Sequence, residues 1–167
     1  HFMGIHAPGL TDPMATFQTI HHLLLSHGLA ARAIRAAAAT RPEVGITLSL
    51  APVHPAEDTE EDRNAARRFD GVFNRMFLDP VYKACYPDDV RQLLEIIMPK
   101  PEAGDMETIS TPLDFLGVNY YTRHVMKYNP DIFPLQAEEG YPEGHEYSGM
   151  WEIYTPGMYE LLTRMKA

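Results

Sequence analysis

The sequence predicts a parallel α/β fold, and three observations carry the prediction. Helical and strand patterns alternate along the chain. The strand-like runs are short and continuously apolar, as in buried parallel strands, and each helix opens on a recognisable cap. From Pro13 to about Ala39, Phe17, Ile20, Leu24, His27, Ala31 and Ile34 recur three or four apart. With Thr11 or Asp12 as cap and Pro13 in the first turn, this is a long amphipathic helix.

After the breaker RPEVG comes GITLSLAPV, a short run with β-branched residues that halts at Pro52 and reads as a buried strand. The next segment, DTEEDRNAARRFDGVFNRMF, is a helix with Asp58 or Thr59 as cap. Glu60, Glu61 and Asp62 fill its first turn as solvated, dipole-complementing acids, and Ala66, Phe69, Phe73 and Phe77 mark one face. YPDD opens a further helix from about Pro87 to Met98. The strand LDFLGVNYYT follows, then a loop rich in Gly, Pro and Tyr from about Asn129 to Gly149. Thr155 and Pro156 open the closing helix. Only two strands are convincing, and two strands cannot cover the apolar stripes of these helices. The sequence, which begins at His1 inside a loop-like stretch, therefore reads as a slice of a larger fold.

Composition narrows the function. The 167 residues are 45% hydrophobic, within the range of one ordinary globular domain. Fourteen basic against twenty-three acidic residues give a formal charge of −9, which argues against nucleic acid or an anionic membrane surface as partner. A neutral or cationic small molecule fits better. Cys85 is the single cysteine, so no intrachain disulfide can form and a cytoplasmic location is expected. No run of about 18 apolar residues is present.

In parallel α/β folds function gathers at the carboxyl ends of strands. Asn119, Tyr120 and Tyr121 stand at such an end. An amide and two phenols can hold sugar hydroxyls or orient a carboxylate. Strand alternation puts Asn119 and Tyr121 on the inner face and turns Tyr120 towards the helices. The bland reading, strand-end residues with satisfied hydrogen bonds, stands beside it. Other constellations are weaker. His21, His22 and His27 lack the i, i+4 pair of a helical zinc site, so no metal is expected. Asp114 and Glu152 do not make an acid/base pair, because Asp114 lies at the amino end of its strand, roughly 17 Å from the other end. No P-loop, dinucleotide or nucleophile-elbow motif is present, and no cofactor is expected.

The segment DFLGVNYYTRH resembles the sixth-strand signature of family 1 glycoside hydrolases, the β-glucosidase family. GIHAPGLTD with HHLLLSHGLA resembles the loop and helix after that family's acid/base strand, and GITLSLAPVHPA its fifth strand. FNRMFLDPVYKACYPDDV resembles the next helix and turn, and MWEIYTPGMYELL the segment entering the sixth helix. The resemblance runs from His1 to Ala167 with the motifs in order. It implies a partial (β/α)8 TIM barrel, about helix 4 to helix 6, as one segment of a single barrel domain. It implies a parent enzyme that hydrolyses β-glycosides with retention, using two glutamates about 5 to 5.5 Å apart.

By the same resemblance the Asn-Glu-Pro acid/base motif precedes His1 and the Glu-Asn-Gly nucleophile motif follows Ala167, so the 167 residues alone should be inactive. Asn119 and Tyr121 would surround the reacting sugar, with Tyr121 bonded to the nucleophilic carboxylate. Trp151 would form an apolar wall for the leaving group, and His6 would lie near that side. Four departures stand out: Met150 abuts Trp151 where relatives have an intervening Gly, Ser49 replaces a frequent Asn, Ala84 a common Gly and Met76 a common Trp. The last two read as packing changes. The alternative is a complete, non-catalytic sugar-binding or scaffold module.

Overall fold

A computed structural model describes residues 7–166. In chain order they form α1 (Pro13–Ala37), β1 (Gly45–Ser49), β2 (Val53–Pro55), α2 (Glu60–Asp70), a π-helical turn (Gly71–Arg75) and α3 (Met76–Lys83). Then come α4 (Asp88–Leu93), α5 (Asp105–Ile109), β3 (Phe115–Asn119), β4 (His124–Tyr128), β5 (Ala137–Glu139), β6 (Tyr147–Ser148), β7 (Trp151–Glu152) and α6 (Gly157–Lys166). The chain divides into two compact units, residues up to Ile46 with Phe77–Leu116, and Thr47–Met76 with the remainder from Gly117.

In the first unit Asp12 caps α1, its carboxylate accepting from the amides of Met14 and Ala15 at 2.9 and 3.2 Å. The buried stripe is Phe17, His21, Leu24, Gly28 and Ala31. Ile34, expected on that stripe, is exposed, because a four-three alternation from Phe17 leaves it off the seam. Gly28 is where α5 approaches: a Cβ there would fall 2.0 Å from the Thr108 carbonyl oxygen. Leu24, Val81 and Ile109 form the core beside Ile20, Phe77 and Leu113. His21 is a core histidine, spanning the Tyr86 hydroxyl at 2.8 Å and Asp105 at 3.1 Å. Asp114, at the amino end of β3, pairs with Arg35 and Arg41.

Two expectations change here. The helix after YPDD ends at Leu93 instead of Met98, and turns carry the chain to the pair Pro99 and Pro101. A residue before proline disfavours helix, and Ile96 is almost fully exposed, so nothing draws a longer helix inward. Ala84 is a backbone feature more than a packing change: it ends α3 at φ +55°, in the left-handed region that glycine occupies without cost. Met76, by contrast, is fully buried, as a packing residue should be.

In the second unit Thr59 caps α2 by accepting from the Asp62 amide at 3.2 Å. Glu60 and Glu61 are solvated as expected, but Asp62 is buried. Its carboxylate accepts from the amides of Glu57 at 3.0 Å and Tyr128 at 2.7 Å, tying α2 to β4. Ala65 and Ala66 pack on Met126 and Ala137 with Phe69, Tyr128 and Leu135 around them. The π-helical turn brings Asn74, buried, against Ala51: its amide donates to the Ala51 carbonyl at 2.8 Å and its oxygen accepts from the Ala51 amide at 3.1 Å.

Two strands were expected; seven short ones occur among the described residues, in sheets β1-β3, β2-β4-β5 and β6-β7. The Val44 carbonyl accepts from Asp114 and the Asn119 carbonyl from Leu50, in step, so β1 and β3 run parallel. β2 and β4 are also parallel, with Val53 opposite His124, and β5 closes antiparallel on β4. In the β6-β7 hairpin Ser148 faces Trp151 across a turn in which Gly149 takes φ +65°. The added strands are two to five residues long and mostly polar, too brief for a period to register. No described helix is long and apolar enough to cross a membrane.

Candidate functional site

β3 ends at Asn119, and the next three residues divide their roles. Tyr120 is half-buried, and its hydroxyl donates to the Tyr154 carbonyl at the approach to α6. It lies so close to that helix that a Cβ at Gly157 would fall 2.1 Å from the hydroxyl. Tyr121 turns out to solvent, 57% exposed, and meets Trp151, 48% exposed, with ring centroids 5.2 Å apart and planes tilted by 33°. Such an offset pair presents two apolar faces with a phenol at the rim.

The two rings form one side of a cavity of about 220 Å3. Its floor is Ser49, Leu50 and Ala51 at the end of β1, and Phe73, Thr122 and His124 complete it. Complete ligand sites usually enclose about 300 Å3 or more, so this volume suits part of a ligand. Asn119 ends β3 exposed and is not in that lining. His6 lies outside the described residues. Of the expected site residues, the structure thus brings together Tyr121 and Trp151.

Sequence reasoning missed several contributors. His124 packs across the stacked rings of Phe69 and Phe73, at 4.9 and 4.7 Å between centroids, and Glu139 holds its Nδ1 at 2.9 Å. Arg123 reaches Glu152, next to Trp151, through Nε and Nη2 at 2.8 and 3.0 Å. His145 adds a third contact to that carboxylate at 2.7 Å. Glu152 is only 5% exposed, and the hydrogen bonds from Arg123 hold its carboxyl below the usual range despite burial. The sequence shows a charge near each ring, Arg123 two residues after Tyr121 and Glu152 next to Trp151, but nothing local says that the two pair. A larger hollow of about 640 Å3, with Asp88, Arg91, Glu95 and Lys100 in its wall, is built by turns and helices of the first unit without strand-end residues.

The comparison with known proteins turns on one match: the family described as Glycosyl hydrolase family 1 covers residues 1–167. The chain belongs to that family. Glycosyl hydrolase family 1 relatives agree along the whole sequence. The 1,4-beta-D-glucan glucohydrolase of Thermotoga neapolitana is 35% identical over 168 residues, 99% of this chain and 39% of the relative. The solved β-glucosidase from Exiguobacterium antarcticum B7 superimposes with a TM-score of 0.93 at 35% identity, over 99% of this chain and 38% of that one. The virulence factor SghA from Agrobacterium tumefaciens, solved with its substrate analog salicin, gives 0.87 at 33% identity, over 98% and 37%. The chain thus spans somewhat under two fifths of the length of these relatives, and its α/β arrangement is part of the family's TIM-barrel fold.

Proposed function

We propose that the chain is part of a retaining β-glycosidase of β-glucosidase type, about helix 4 to helix 6 of one (β/α)8 barrel domain, and that it supplies wall residues around a β-glycoside. The observation that carries this reading is the Tyr121–Trp151 corner over the cavity where β1 and β3 end. Aromatic faces suit the C–H face of a sugar or an aryl leaving group, and a phenol at a strand's carboxyl end can reach a reacting carboxylate. Tyr121 holds the nucleophilic carboxylate ionised and aimed, Asn119 bonds the sugar's hydroxyls, Trp151 walls the leaving group, and His6 shapes the loop on that side.

No carboxylate is among the described residues that line the cavity, and three carboxylates around it are already hydrogen-bonded. Glu152 is kept ionised by Arg123 and cannot protonate a leaving oxygen, while Glu139 is occupied by His124 and Glu160 by His54. In this reading both catalytic glutamates come from the rest of the parent enzyme. The reaction calls for no metal or cofactor. A cytoplasmic location completes the proposal, on the strength of a single cysteine, and the charge of −9 disfavours nucleic acid and anionic membranes as partners.

The experiment is expression of the complete reading frame that contains this sequence, assayed with aryl β-glucosides beside the 167-residue chain alone. Turnover is expected from the complete protein and none from the chain. A complete protein that binds sugars without cleaving them would replace this reading with that of a binding module.

A further inference from the structure

The two rings of the wall sit on segments that no backbone ladder joins. β7, which carries Trp151, pairs with β6, whereas β3, which leads to Tyr121, pairs with β1. Both side chains are about half exposed, so packing alone does not set their mutual angle. The joining groups are the residues that follow each ring. The Thr122 hydroxyl donates to the Glu152 carbonyl at 3.0 Å, and Arg123 closes its two-pronged grip on the Glu152 carboxylate.

Arg123 is itself held from behind. Its Nη1 lies 3.1 Å from Nδ1 of His54 on β2. A guanidinium cannot accept, so Nδ1 is the acceptor and the ring proton sits on Nε2, which donates to Glu160 at 2.9 Å. The guanidinium also lies over the Tyr154 ring, 4.2 Å from its centre, and the Tyr154 hydroxyl donates to the same Glu160. One planar cation thereby meets β2, β7 and the chain before α6.

We infer that Arg123 is a positioning residue for the leaving group: by fixing Glu152 it sets the angle between Trp151 and Tyr121, and so determines how well an aryl or sugar aglycone is seated. The inference rests on the glycosidase reading. Arg123 is not among the residues that line the cavity, so it acts through Glu152. A fork suits this role because it fixes direction as well as distance, which an ammonium on a flexible stem does not.

The test uses the complete enzyme and two substrates, nitrophenyl β-glucoside, whose leaving group is a ring, and β-glucosyl fluoride, whose leaving group has none. Arg123→Lys keeps the charge and loses the fork. Arg123→Met combined with Glu152→Gln leaves no unpaired buried charge, and so guards against simple unfolding. Both variants should lose about tenfold or more in kcat/KM on the nitrophenyl glucoside, chiefly through KM, with a change of less than about threefold on the fluoride. Equal losses on both substrates, or none on either, would overturn the positioning role while leaving the glycosidase reading intact. A wild-type enzyme inert towards both would overturn that reading and the inference with it.

Discussion

The ring of Tyr121 stands 5.2 Å from that of Trp151, while Tyr120, one residue earlier, spends its hydroxyl on the Tyr154 carbonyl. Adjacent tyrosines therefore have separable duties. In the complete enzyme Tyr121→Phe should lower kcat by roughly tenfold to a thousandfold, as expected for a preorganised donor worth about 1.5 to 4 kcal/mol, with little effect on stability. Tyr120→Phe should do the reverse, losing about 0.5 to 1.5 kcal/mol of stability with kcat nearly unchanged. Steady-state kinetics and urea unfolding of the pair check it; equal kinetic losses would contradict the division.

Ala84 offers a test on the other side of the molecule's chemistry, in the backbone. At φ +55° it carries a Cβ where glycine would be at ease. In the complete enzyme Ala84→Gly should stabilise the fold by about 1 kcal/mol, the usual penalty for an L side chain in the left-handed region offset in part by the added freedom of the unfolded chain. The urea midpoint should rise with an unchanged slope. A fall would mean that the methyl group's contacts outweigh the backbone term.

The pH dependence follows from Glu152 and Asp70. Hydrogen bonds from Arg123 lower the carboxyl of Glu152. For Asp70, burial works in the opposite direction but is outweighed by the hydrogen bonds of Arg164, Asn74 and Arg75. Groups depressed in the folded state stabilise it above their unfolded values of about 4 and lose that contribution as pH falls further. In the complete enzyme the stability difference between wild type and Glu152→Gln should accordingly be full at pH 6 and shrink as pH falls from about 5 to 3. A difference independent of pH over that range would show that the carboxylate's charge contributes nothing.

The larger elements were legible in the sequence because they are long or strongly signalled. Asp12 with Pro13 marks the start of α1, Thr59 that of α2, and NYYTRH the end of β3. What escaped has physical causes. β2 and β5 are three residues long, and β6 and β7 two, so no alternation can be read from them. Asp62 looks like any first-turn acid until the chain returns at Tyr128 to use its second oxygen. At the site, aromatic residues at a strand end were visible as a pattern, but the Arg123–Glu152 bond joins distant segments and has no local signature.

Large apolar side chains remain exposed on both units, among them Leu23, Leu29 and Phe115 in the first and Phe133, Tyr159 and Leu162 in the second. With somewhat under two fifths of its relatives' length, the isolated chain should keep a helical far-UV signal, show a weak near-UV signal and bind a hydrophobic dye. Trp151, its only tryptophan, reports the site directly by fluorescence. A sharp, cooperative melt of a monomer would contradict this expectation.

The most direct measurement of the central claim is the anomeric form of the sugar first released. A retaining enzyme with paired carboxylates inverts the anomeric carbon twice, the nucleophilic carboxylate first displacing the leaving group and water then displacing the carboxylate, so the configuration is kept. Proton NMR of the complete enzyme acting on an aryl β-glucoside, recorded before mutarotation, should show β-glucose first and the α anomer growing in later. Initial release of the α anomer would contradict the account.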